Sequence, residues 1–386
     1  MFQTRLRQLA DQSLIRQLTP LESGTGPTVR LSGRQVLLLS SNDYLGLATH
    51  PEVVQAAVRA TELYGAGAGA SRLVCGTLPP HQQLESTLAL YKHTEAALVF
   101  GSGYLANMGL IPSLIQRRGL ILADRLCHGS LIDGCRLSGA DVRIFRHRDS
   151  AHVESLLKRR RAARPTIIVT DGLFSMDGDL APLPDLASLS HRYDATLYVD
   201  DAHGTGIMGP TGRGTLEHFC LESTVPFHMG TLGKSLGSSG AYLVGPREMV
   251  DYLTNTCRTF MLTTAPPPGS MAAATAALEV VHREPERRTR LWANRQRLYK
   301  GFQQLGFRLA PSESPILPIM IGDADKAVTF AAKLLEQGVF APAIRPPTVP
   351  HATSRIRVTV TSEHTCDQID EALLAFRHAG QDTGLL

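Results

Sequence analysis

The sequence has no apolar run long enough to cross a bilayer and only a weak excess of positive charge. A membrane-spanning helix needs about 20 largely apolar residues, and no apolar run of even about 18 residues occurs here. The formal net charge of +4 over 386 residues is too small to indicate a nucleic-acid partner. We therefore expect a protein that binds neither membrane nor nucleic acid.

Cysteine is scarce as well. The six cysteines are scattered, with no CxxC pair and no Cys/His spacing typical of a metal site. In a chain of this length, such usage predicts reduced thiols in a cytoplasmic protein, without disulfides and without a metal. The N-terminal stretch also lacks the continuous apolar segment of a secretory signal, so we expect no secretion.

What is present is the ordinary composition of a soluble globular protein, with 43% hydrophobic and 19% charged residues. A chain of 386 residues exceeds the usual size of one hydrophobic core, which predicts more than one domain. The one concentrated basic run, LKRRRAARP at 157–165, is interpreted as a solvated helix end, with anion docking as the alternative.

Short apolar runs alternate with helix-length segments between about 95 and 245. The runs are ALVFGSG, GLILAD, DVRIFRH, TIIVTDG, TLYVDDAHG and AYLVG. Runs of this length that end in Gly, Asp, His or Ser are typical of buried strands, and their alternation with helices predicts an α/β domain with a largely parallel sheet. We predict an N-terminal helix and short strand over 1–45, a large domain over 46–282 and a smaller α+β domain over 283–386.

The stretch GTLGKSLGSSGAY surrounds Lys234 with glycines and looks like a phosphate-binding loop. The Walker A pattern requires a glycine five residues before Gly233, but that position is His228, so the pattern fails. A lysine that follows a strand can instead form a Schiff base and act as a general base. Lys234 is therefore the first candidate catalytic residue.

Asp200 and His203 follow the predicted strand in LYVDDAHGTG, where the chain leaves the sheet. Ligands of open α/β sheets bind beyond the carboxyl ends of the strands, which makes both residues candidates. A turn with a capping aspartate and a surface histidine is the alternative. A metal site is disfavoured because no third ligand lies at a suitable spacing.

The stretch FGSGYLANMG places Gly101 and Gly103 just before a predicted helix that begins at Tyr104. Free backbone N–H groups at a helix N-terminus bind phosphate. Because position 106 is Ala106, the stretch is not GxGxxG, and a dinucleotide is disfavoured. His128 in DRLCHGS stands in another loop of this kind.

These parts together favour pyridoxal 5′-phosphate over a nucleotide. Residues 102–104 can hold the phosphate, Asp200 can keep a pyridine nitrogen protonated, and Lys234 can supply the amine of a Schiff base. A non-catalytic phosphate-binding module, based on the glycine loops alone, is the alternative from a different class of protein.

The chain resembles the α-oxoamine synthases, a family of fold-type I pyridoxal-phosphate enzymes. The resemblance rests on motifs in order along nearly the whole chain: SSNDYLGLATHP, GAGAGASRLVCGT, HQQLE, GSGYLAN, DRLCHGSLIDG, FSMDGDLAPL, VDDAHGTGIMG, GTLGKSLGSSG and AIRPPTVP. It implies a transferase whose large domain has a mainly parallel seven-stranded sheet, with a smaller C-terminal α+β domain.

The resemblance also implies which residues hold the cofactor. Lys234 would form the Schiff base and later abstract the α-proton, while Asp200 would pair with the pyridinium nitrogen and His203 with the O3′ oxygen. His128 would stack over the ring, and Thr231 would contact the phosphate. The implied cofactor-binding set is Ser102, Gly103, Tyr104, His128, Ser175, Asp200, His203, Thr231, Lys234, Thr263 and Thr264.

Other matching positions concern the substrates and a second subunit. Arg357 would bind the carboxylate of the amino acid, with Asn42 and His128 beside it, and Arg16 and Thr348 would contact the acyl substrate. Thr263 and Thr264 match a hydroxyl pair that reaches the partner subunit's site, which implies a homodimer. From the residues alone, Arg355 and Arg357, which alternate on a predicted strand, could instead be exposed, and Asn42 could cap a helix over DYLGL.

The reaction implied by the resemblance is a decarboxylative condensation of an amino acid with an acyl thioester. The stretch AIRPPTVPHATSRIRVTVT is most similar to the family members that make the first carbon–carbon bond of the biotin rings. Those members join L-alanine to a pimeloyl group carried by coenzyme A or by acyl carrier protein. Glycine C-acetyltransferase and 5-aminolevulinate synthase, which share the catalytic residues, stay open as alternatives.

Overall fold

The computed structural model describes residues 2–160 and 164–386. Over these residues the chain divides into two compact units. The first, here called the sheet unit, comprises His50–Phe174 and Leu180–Pro285. The second, the terminal unit, comprises the residues up to Thr49, Ser175–Asp179 and Glu286–Leu386. The three segments with boundaries at 45/46 and 282/283 stay a prediction from the sequence.

Helices and strands alternate along most of the chain. The helices are α1 (Phe2–Asp11), α2 (Pro51–Tyr64), α3 (Pro79–Tyr91), α4 (Gly103–Leu114), α5 (Gly129–Leu137), α6 (Ser150–Lys158), α7 (Leu183–Arg192), α8 (Thr215–His218), α9 (Arg247–Thr256), α10 (Arg258–Met261), α11 (Pro268–Arg283), α12 (Glu286–Leu305), α13 (Ala324–Glu336) and α14 (Cys366–Asp382). The strands are β1 (Thr28–Leu31), β2 (Arg34–Leu38), β3 (Ala96–Phe100), β4 (Leu120–Asp124), β5 (Asp141–Phe145), β6 (Thr166–Asp171), β7 (Thr196–Asp200), β8 (His228–Thr231), β9 (Ala241–Gly245), β10 (Ile316–Gly322), β11 (Val339–Phe340), β12 (Ala343–Ile344) and β13 (Ser354–Thr359).

The sheet unit is built on a seven-stranded sheet with the strand order β3-β9-β8-β7-β6-β4-β5. Neighbouring strands from β8 to β5 are parallel, whereas β9 is antiparallel to both β8 and β3. Parallel neighbours require crossover connections, and helices supply them here. The predicted α/β fold with a mainly parallel seven-stranded sheet is confirmed.

Four strands of this sheet are buried along their whole length and mostly apolar, because both faces of the sheet are covered. Every residue of β3, β4, β6 and β9 is buried. Leu122 and Ala123, which are neighbours on β4, belong to two different clusters of buried apolar side chains. Since successive side chains of a strand point to opposite faces, one cluster lies on each face. Polar chemistry is therefore left to the ends of the strands.

The terminal unit contains two small sheets. In the first, β2 pairs antiparallel with β1 and parallel with β11, and Val339 lies opposite Leu37. In the second, β13 pairs antiparallel with both β10 and β12. The first sheet thus joins the N-terminal strands to a strand about 300 residues later in the chain.

The basic run predicted to end a helix is described in part. Helix α6 ends at Lys158, and the guanidinium of Arg160 donates to the carbonyl of Arg164 at 3.0 Å and to Oγ1 of Thr166 at 3.1 Å. The rest of that prediction concerns residues 161–163, which lie outside the described residues.

Across 2–160 and 164–386, no helix combines the length and the apolar character that a membrane crossing requires.

His364 makes the stability of the terminal unit sensitive to acid. Its imidazole is only 4% exposed, the N–H of Thr361 donates to Nδ1 at 3.0 Å, and burial lowers the pKa from 6.5 to about 4. The unfolded chain therefore binds this proton from about pH 6.5 downward, while the folded chain binds it only near pH 4. We expect this group alone to lower the free energy of unfolding by about 3 kcal/mol as the pH falls from 7 to 4.

Urea unfolding of the wild type and of His364→Gln at pH 7, 5.5 and 4 tests this expectation. Glutamine keeps an acceptor for the Thr361 N–H but does not titrate, so the variant should lose less stability over that range. His351→Gln is the matched control, because the His351 side chain is exposed in the same unit and is in water before and after unfolding. Equal acid sensitivity in His364→Gln and the wild type would show that His364 does not carry the effect.

Candidate active site

Neighbouring strands of the large sheet end in carboxylates. β4 ends at Asp124, β6 at Asp171 and β7 at Asp200, and Asp171 lies opposite Asp200 in the ladder. All three side chains are buried. Because the carboxyl ends of parallel strands share one edge of the sheet, the loops that follow these strands are the place for a ligand.

Asp200 is fixed by a donor to each of its carboxylate oxygens. The backbone N–H of Ala202 donates to Oδ1 at 3.0 Å, and the side-chain amide of Asn107 donates to Oδ2 at 2.8 Å. The residue is 4% exposed. A buried carboxylate with these partners keeps one orientation, and it can pair with a positively charged nitrogen brought to the edge of the sheet.

Lys234 follows β8 in a tight turn. Its Nζ donates to Oγ1 of Thr231 at 3.3 Å, and the side chain is half-buried. After this turn the chain enters β9 beside β3, and Gly240 permits the close approach. A Cβ at this position would lie 2.8 Å from the carbonyl oxygen of Phe100, and its φ is +113°. The lysine amine is thus held at the same sheet edge as the carboxylates.

The first turn of α4 lies against Thr231. Ser102 is the N-cap, and its Oγ accepts the N–H of Leu105 at 3.2 Å, so the helix begins at Gly103, one residue before the predicted start at Tyr104. A Cβ on Gly103 would lie 2.7 Å from Cγ2 of Thr231. Glycine therefore permits this close approach, and the helix N-terminus there can bind a phosphate.

His128 caps α5 and is held at two points. Its backbone N–H donates to Oδ2 of Asp171 at 2.8 Å, and its Nδ1 lies 2.7 Å from Oγ of Ser130. Burial is the main cause that lowers the pKa of His128; the negative charge of Asp200 opposes this, and the positive charge of Lys234 lowers the pKa further. The electrostatic effects of Lys234 and Asp200 on this imidazole show that the structure brings the three predicted residues together.

His203 is 6% exposed, so the alternative of a surface histidine is wrong. It lies in the loop after β7, where the carbonyl of Asp201 accepts the N–H of Gly204 at 3.2 Å and that of Thr205 at 3.1 Å. His203 follows Asp200, the last residue of β7, by three residues, and this turn keeps it at the same edge of the sheet.

A buried ion pair underlies that turn. Nζ of Lys92 lies 3.8 Å from Oδ2 of Asp201, and both side chains are fully buried. Lys92 also donates to Oγ1 of Thr205 at 3.2 Å, and Oγ1 of Thr215 donates to Asp201 at 2.7 Å. Burial lowers the pKa of Lys92 to about 8 and raises that of Asp201 to about 6. Sequence reasoning missed this pair, because only its second member lies in a recognised motif.

Thr263 and Thr264 lie between α10 and α11. The neighbouring Ala265 N–H donates to the carbonyl of Ala70 at 2.9 Å, and Thr264 is exposed. Within the part of the chain that the structure describes, no hydrogen bond joins either threonine to the residues around Lys234. Their predicted contact with the partner subunit's site stays a prediction.

In the terminal unit, Arg357 gathers several of the residues predicted to bind substrate. Its guanidinium donates to Oδ1 of Asn42 at 3.0 Å, to the hydroxyl of Tyr44 at 3.2 Å and to the carbonyl of Ser175. Among residues 2–160 and 164–386, no carboxylate forms an ion pair with Arg357. Its partners are neutral, so the guanidinium keeps its positive charge for an anionic ligand.

Two of the alternatives drawn from the sequence are wrong. The strand arginines are not exposed, since Arg355 is 3% and Arg357 is 6% exposed; Arg355 pairs with Asp177 at 2.5 Å. Asn42 does not cap a helix, because no helix follows it. Instead, the Asp43 carboxylate accepts the N–H groups that follow in this turn, and burial raises its pKa to about 6.

Arg16 and Thr348 both contact the carbonyl oxygen of Arg345. The guanidinium of Arg16 donates to it at 3.4 Å and to the carbonyl of Pro346 at 2.9 Å, and the N–H of Thr348 donates to it at 3.1 Å. The two residues predicted to contact the acyl substrate are therefore close to each other.

One group of potential metal ligands occurs among the described residues: His50, Glu52 and Glu284. Arg283 donates to Glu52 at 2.6 Å and to Glu284 at 3.2 Å. A cation already neutralises these carboxylates, and the absence of a metal stays a prediction. His81 is buried, with Nε2 2.9 Å from the carbonyl oxygen of Pro266.

Comparison with known proteins finds similarity along nearly the whole chain. The family model described as aminotransferase class I and II matches residues 34–376. The 8-amino-7-oxononanoate synthase of Symbiobacterium thermophilum is 45% identical over 382 residues, which cover 99% of this chain and 97% of that protein. The 8-amino-7-oxononanoate synthase of Anaeromyxobacter dehalogenans is 49% identical over 370 residues, which cover 96% of this chain and 93% of that protein.

A solved structure shares the fold over the same extent. It is a serine palmitoyltransferase variant from S. paucimobilis with a bound PLP–myriocin aldimine, and it is 31% identical in sequence to this chain. The TM-score is 0.95, and the superposition covers 100% of this chain and 98% of that chain. The likeness therefore includes both units of the fold.

Proposed function

This chain belongs to the class I and II aminotransferase family and, within it, to the 8-amino-7-oxononanoate synthases, and on that premise we propose how its residues act. It is a pyridoxal-phosphate-dependent acyltransferase of biotin biosynthesis. The reaction joins L-alanine to a pimeloyl thioester and gives 8-amino-7-oxononanoate, carbon dioxide and free thiol. The observation that carries this chemistry is the placement of the Lys234 amine beside Thr231 at the carboxylate-rich edge of the sheet.

The residues at this edge fit pyridoxal phosphate. The first turn of α4, from Ser102 to Tyr104, can hold the phosphate, since Gly103 lets it approach Thr231 closely. Asp200 is a fixed carboxylate for the ring nitrogen. When bound, the cofactor supplies an electron sink for the charge left by removal of the α-proton of alanine.

Three side chains near the cofactor would have different roles in the reaction. We assign to Lys234 the removal of the α-proton and its later return, because its amine lies half-buried at the edge of the sheet. His128 would stack on the ring and contact the substrate, and His203 would donate to the O3′ oxygen. Burial lowers the pKa of His128, which favours the neutral imidazole at neutral pH.

In the terminal unit, we propose that Arg357 binds the carboxylate of alanine. Asn42 and Tyr44 orient its guanidinium, and Ser175 contributes a backbone carbonyl. An oriented guanidinium binds a carboxylate through paired hydrogen bonds. Arg16 and Thr348 are assigned to the acyl substrate on the family resemblance, and both donate to the Arg345 carbonyl.

Arg357→Gln is expected to raise KM for L-alanine about 10- to 100-fold, since hydrogen bonds to a charged group are lost. Initial rates over a range of alanine concentrations at saturating acyl thioester would measure the change. Arg355→Gln is the matched control: it removes the neighbouring arginine of β13, which pairs with Asp177. That control should lower the free energy of unfolding and leave KM unchanged, whereas an unchanged KM in Arg357→Gln would contradict the assignment.

A homodimer is also proposed, with Thr263 and Thr264 of each chain reaching the partner subunit's site. The support is the family resemblance at these two positions. Sedimentation velocity that gives the mass of two 41.8 kDa chains would support the proposal, and the mass of one chain would contradict it. A cytoplasmic location is also proposed, because the six cysteines are scattered in the sequence and all six are free thiols in the structure.

A thiol-release assay tests the function directly. The purified holoenzyme is incubated with L-alanine or glycine against pimeloyl and acetyl thioesters, each carried by coenzyme A or by acyl carrier protein. Release that requires alanine and the pimeloyl group supports the proposal, and the two carrier arms identify the acyl donor. Release that requires glycine and acetyl-coenzyme A would instead identify a glycine C-acetyltransferase.

A further inference from the structure

Asp200 and His128 are joined by a chain of buried side chains that the reaction scheme above does not use. The amide nitrogen of Asn107 lies 2.8 Å from Oδ2 of Asp200 and 2.9 Å from Oγ of Ser130. Oγ of Ser130 lies 2.7 Å from Nδ1 of His128. Asn107 and Tyr198 are 0% exposed, and Ser130 is 1% exposed. The chain therefore runs through the interior from one predicted catalytic residue to another.

The partners of Asn107 determine the orientation of its amide. Asp200, when ionised, can only accept a hydrogen bond, so the –NH₂ group must face it. The carbonyl oxygen of Asn107 then faces the hydroxyl of Tyr198, which donates to it at 2.7 Å. Both N–H groups and the oxygen of this amide are thereby used, and none of the three bonds can reverse without breaking another.

The direction of the next bond follows from the first bond together with a backbone donor. Oγ of Ser130 accepts from Asn107, so the hydroxyl proton of Ser130 is available for His128. The backbone N–H of Ser130 also points to Nδ1 of His128, at 3.3 Å. Two donors thus face one ring nitrogen. A nitrogen that accepts from both carries no proton, and in the neutral ring the proton must lie on Nε2.

We propose that Asn107 is a positioning residue that, through Ser130, holds His128 as the neutral Nε2–H form while it fixes Asp200 as an acceptor. An amide cannot pass a proton along, so the chain sets polarity and is not a proton wire. The consequence for catalysis rests on the proposed function: His128 presents a single N–H, from Nε2, to the cofactor and substrate.

Packing alone does not explain an asparagine at this position. Helix α4 is otherwise apolar on its buried side, with Ala106, Leu110 and Ile111 all 0% exposed. A buried amide is unfavourable unless every hydrogen-bonding group is satisfied, and an apolar side chain would fill the same space without that requirement. The complete satisfaction of Asn107 therefore indicates a role in the network rather than in the core.

The charged groups near His128 come from several elements. They are Asp133 on α5, Asp171 at the end of β6, Asp200 at the end of β7 and Lys234 after β8. Substitution of Asn107 or Ser130 leaves all of them in the sequence. A change in the titration of His128 that these substitutions cause would thus report the hydrogen-bond chain.

The experiment is NMR of the holoenzyme labelled with ¹⁵N-histidine, with the His128 signals assigned from their loss in His128→Gln. In the wild type at neutral pH, long-range ¹H–¹⁵N correlations should show a protonated Nε2 and an unprotonated Nδ1. In Asn107→Leu the Ser130 hydroxyl can rotate and accept from Nδ1–H, so the proton affinity of His128 should rise about tenfold, which is one pKa unit. Ser130→Ala removes a donor to Nδ1 and should also raise the pKa.

Asn294→Ala is the matched control. Asn294 is a buried amide of the terminal unit that donates to the carbonyls of Thr361 at 3.0 Å and His364 at 2.8 Å. Its loss should lower the free energy of unfolding but leave the His128 titration in place. A wild-type His128 with the proton on Nδ1, or an unchanged His128 titration in both Asn107→Leu and Ser130→Ala, would overturn the proposal.

Failure of this proposal is distinguishable from failure of the proposed function. The thiol-release assay reports the reaction, whereas the NMR titration reports one imidazole and requires no turnover. If the wild type is active but the His128 titration is unchanged in the variants, the positioning role of Asn107 is contradicted and the proposed function stands. If the wild type is inactive but the expected NMR shifts occur, the hydrogen-bond chain stands and the proposed function is contradicted.

Discussion

Replacing Lys234 with alanine is expected to abolish turnover, with a loss of at least about 10⁴-fold in kcat. The residue is assigned both the covalent bond to the cofactor and the movement of the α-proton, and a positioned general base alone contributes about 10²- to 10⁴-fold. The absorbance of the lysine-bound cofactor should disappear together with activity. Spectra and thiol-release rates of the same preparation would measure both losses.

A second lysine makes this prediction more stringent. Burial lowers the pKa of Lys92 to about 8, so it too could in principle act as an amine nucleophile. However, Lys92 is 2% exposed, and it is enclosed by Thr205 and Asp201. Borohydride reduction followed by peptide mapping should therefore place the cofactor on the peptide that contains Lys234. A cofactor on Lys92, or residual absorbance and turnover in Lys234→Ala, would overturn the assignment.

Asp200→Asn is expected to keep the cofactor bound but to slow removal of the α-proton by about 10²- to 10³-fold. The loss of one preorganised electrostatic partner of the reacting group has an effect of about this size. An amide at this position keeps an acceptor for the Ala202 N–H, but its –NH₂ group then faces the –NH₂ of Asn107, and it cannot hold the ring nitrogen in its protonated form. Exchange of the α-proton of L-alanine in D₂O, followed by NMR, would measure this step without the acyl substrate.

The neighbouring aspartate provides the control for this change. Asp201→Asn makes the same chemical substitution one residue later, at a carboxylate that contacts Lys92 and Thr215. Breaking a buried ion pair leaves Lys92 without its counter-charge, so we expect a loss of about 3 to 5 kcal/mol in the free energy of unfolding. The exchange rate per bound cofactor should stay near the wild-type value. If both variants slowed exchange equally, the effect of Asp200 would be structural.

The sequence predicted the parts of the fold and site that depend on local pattern. Apolar runs that end in a polar residue identified the parallel strands, and the residues just after them, such as Asp200 and Lys234, identified the edge of the sheet that carries chemistry. Such signals are local because a buried strand must be apolar along its length, whereas its end must meet polar groups.

The contacts that orient those residues could not be predicted in the same way. Asn107 lies 93 residues from Asp200 in sequence, and Asn42 lies 315 residues from Arg357. Nothing in a stretch of about 20 residues specifies such pairs, because they arise when distant elements pack. The alternative of Asn42 as a helix cap has the same origin: the residues around it suggest only a local role, whereas the family resemblance implied its position beside Arg357.

The pairing of β2 with β11 has a consequence for how the protein is made. Leu37 leaves the ribosome about 300 residues before Val339, its partner across the ladder. For most of the synthesis, the edge of β2 therefore has no strand to pair with, and an unpaired strand edge promotes aggregation of nascent chains. The terminal unit also takes Ser175–Asp179 from the middle of the chain, so it cannot be completed from either end alone. We expect nascent chains stalled before residue 339 to need a chaperone. We also expect a C-terminal truncation that removes β11 to destabilise β1 and β2.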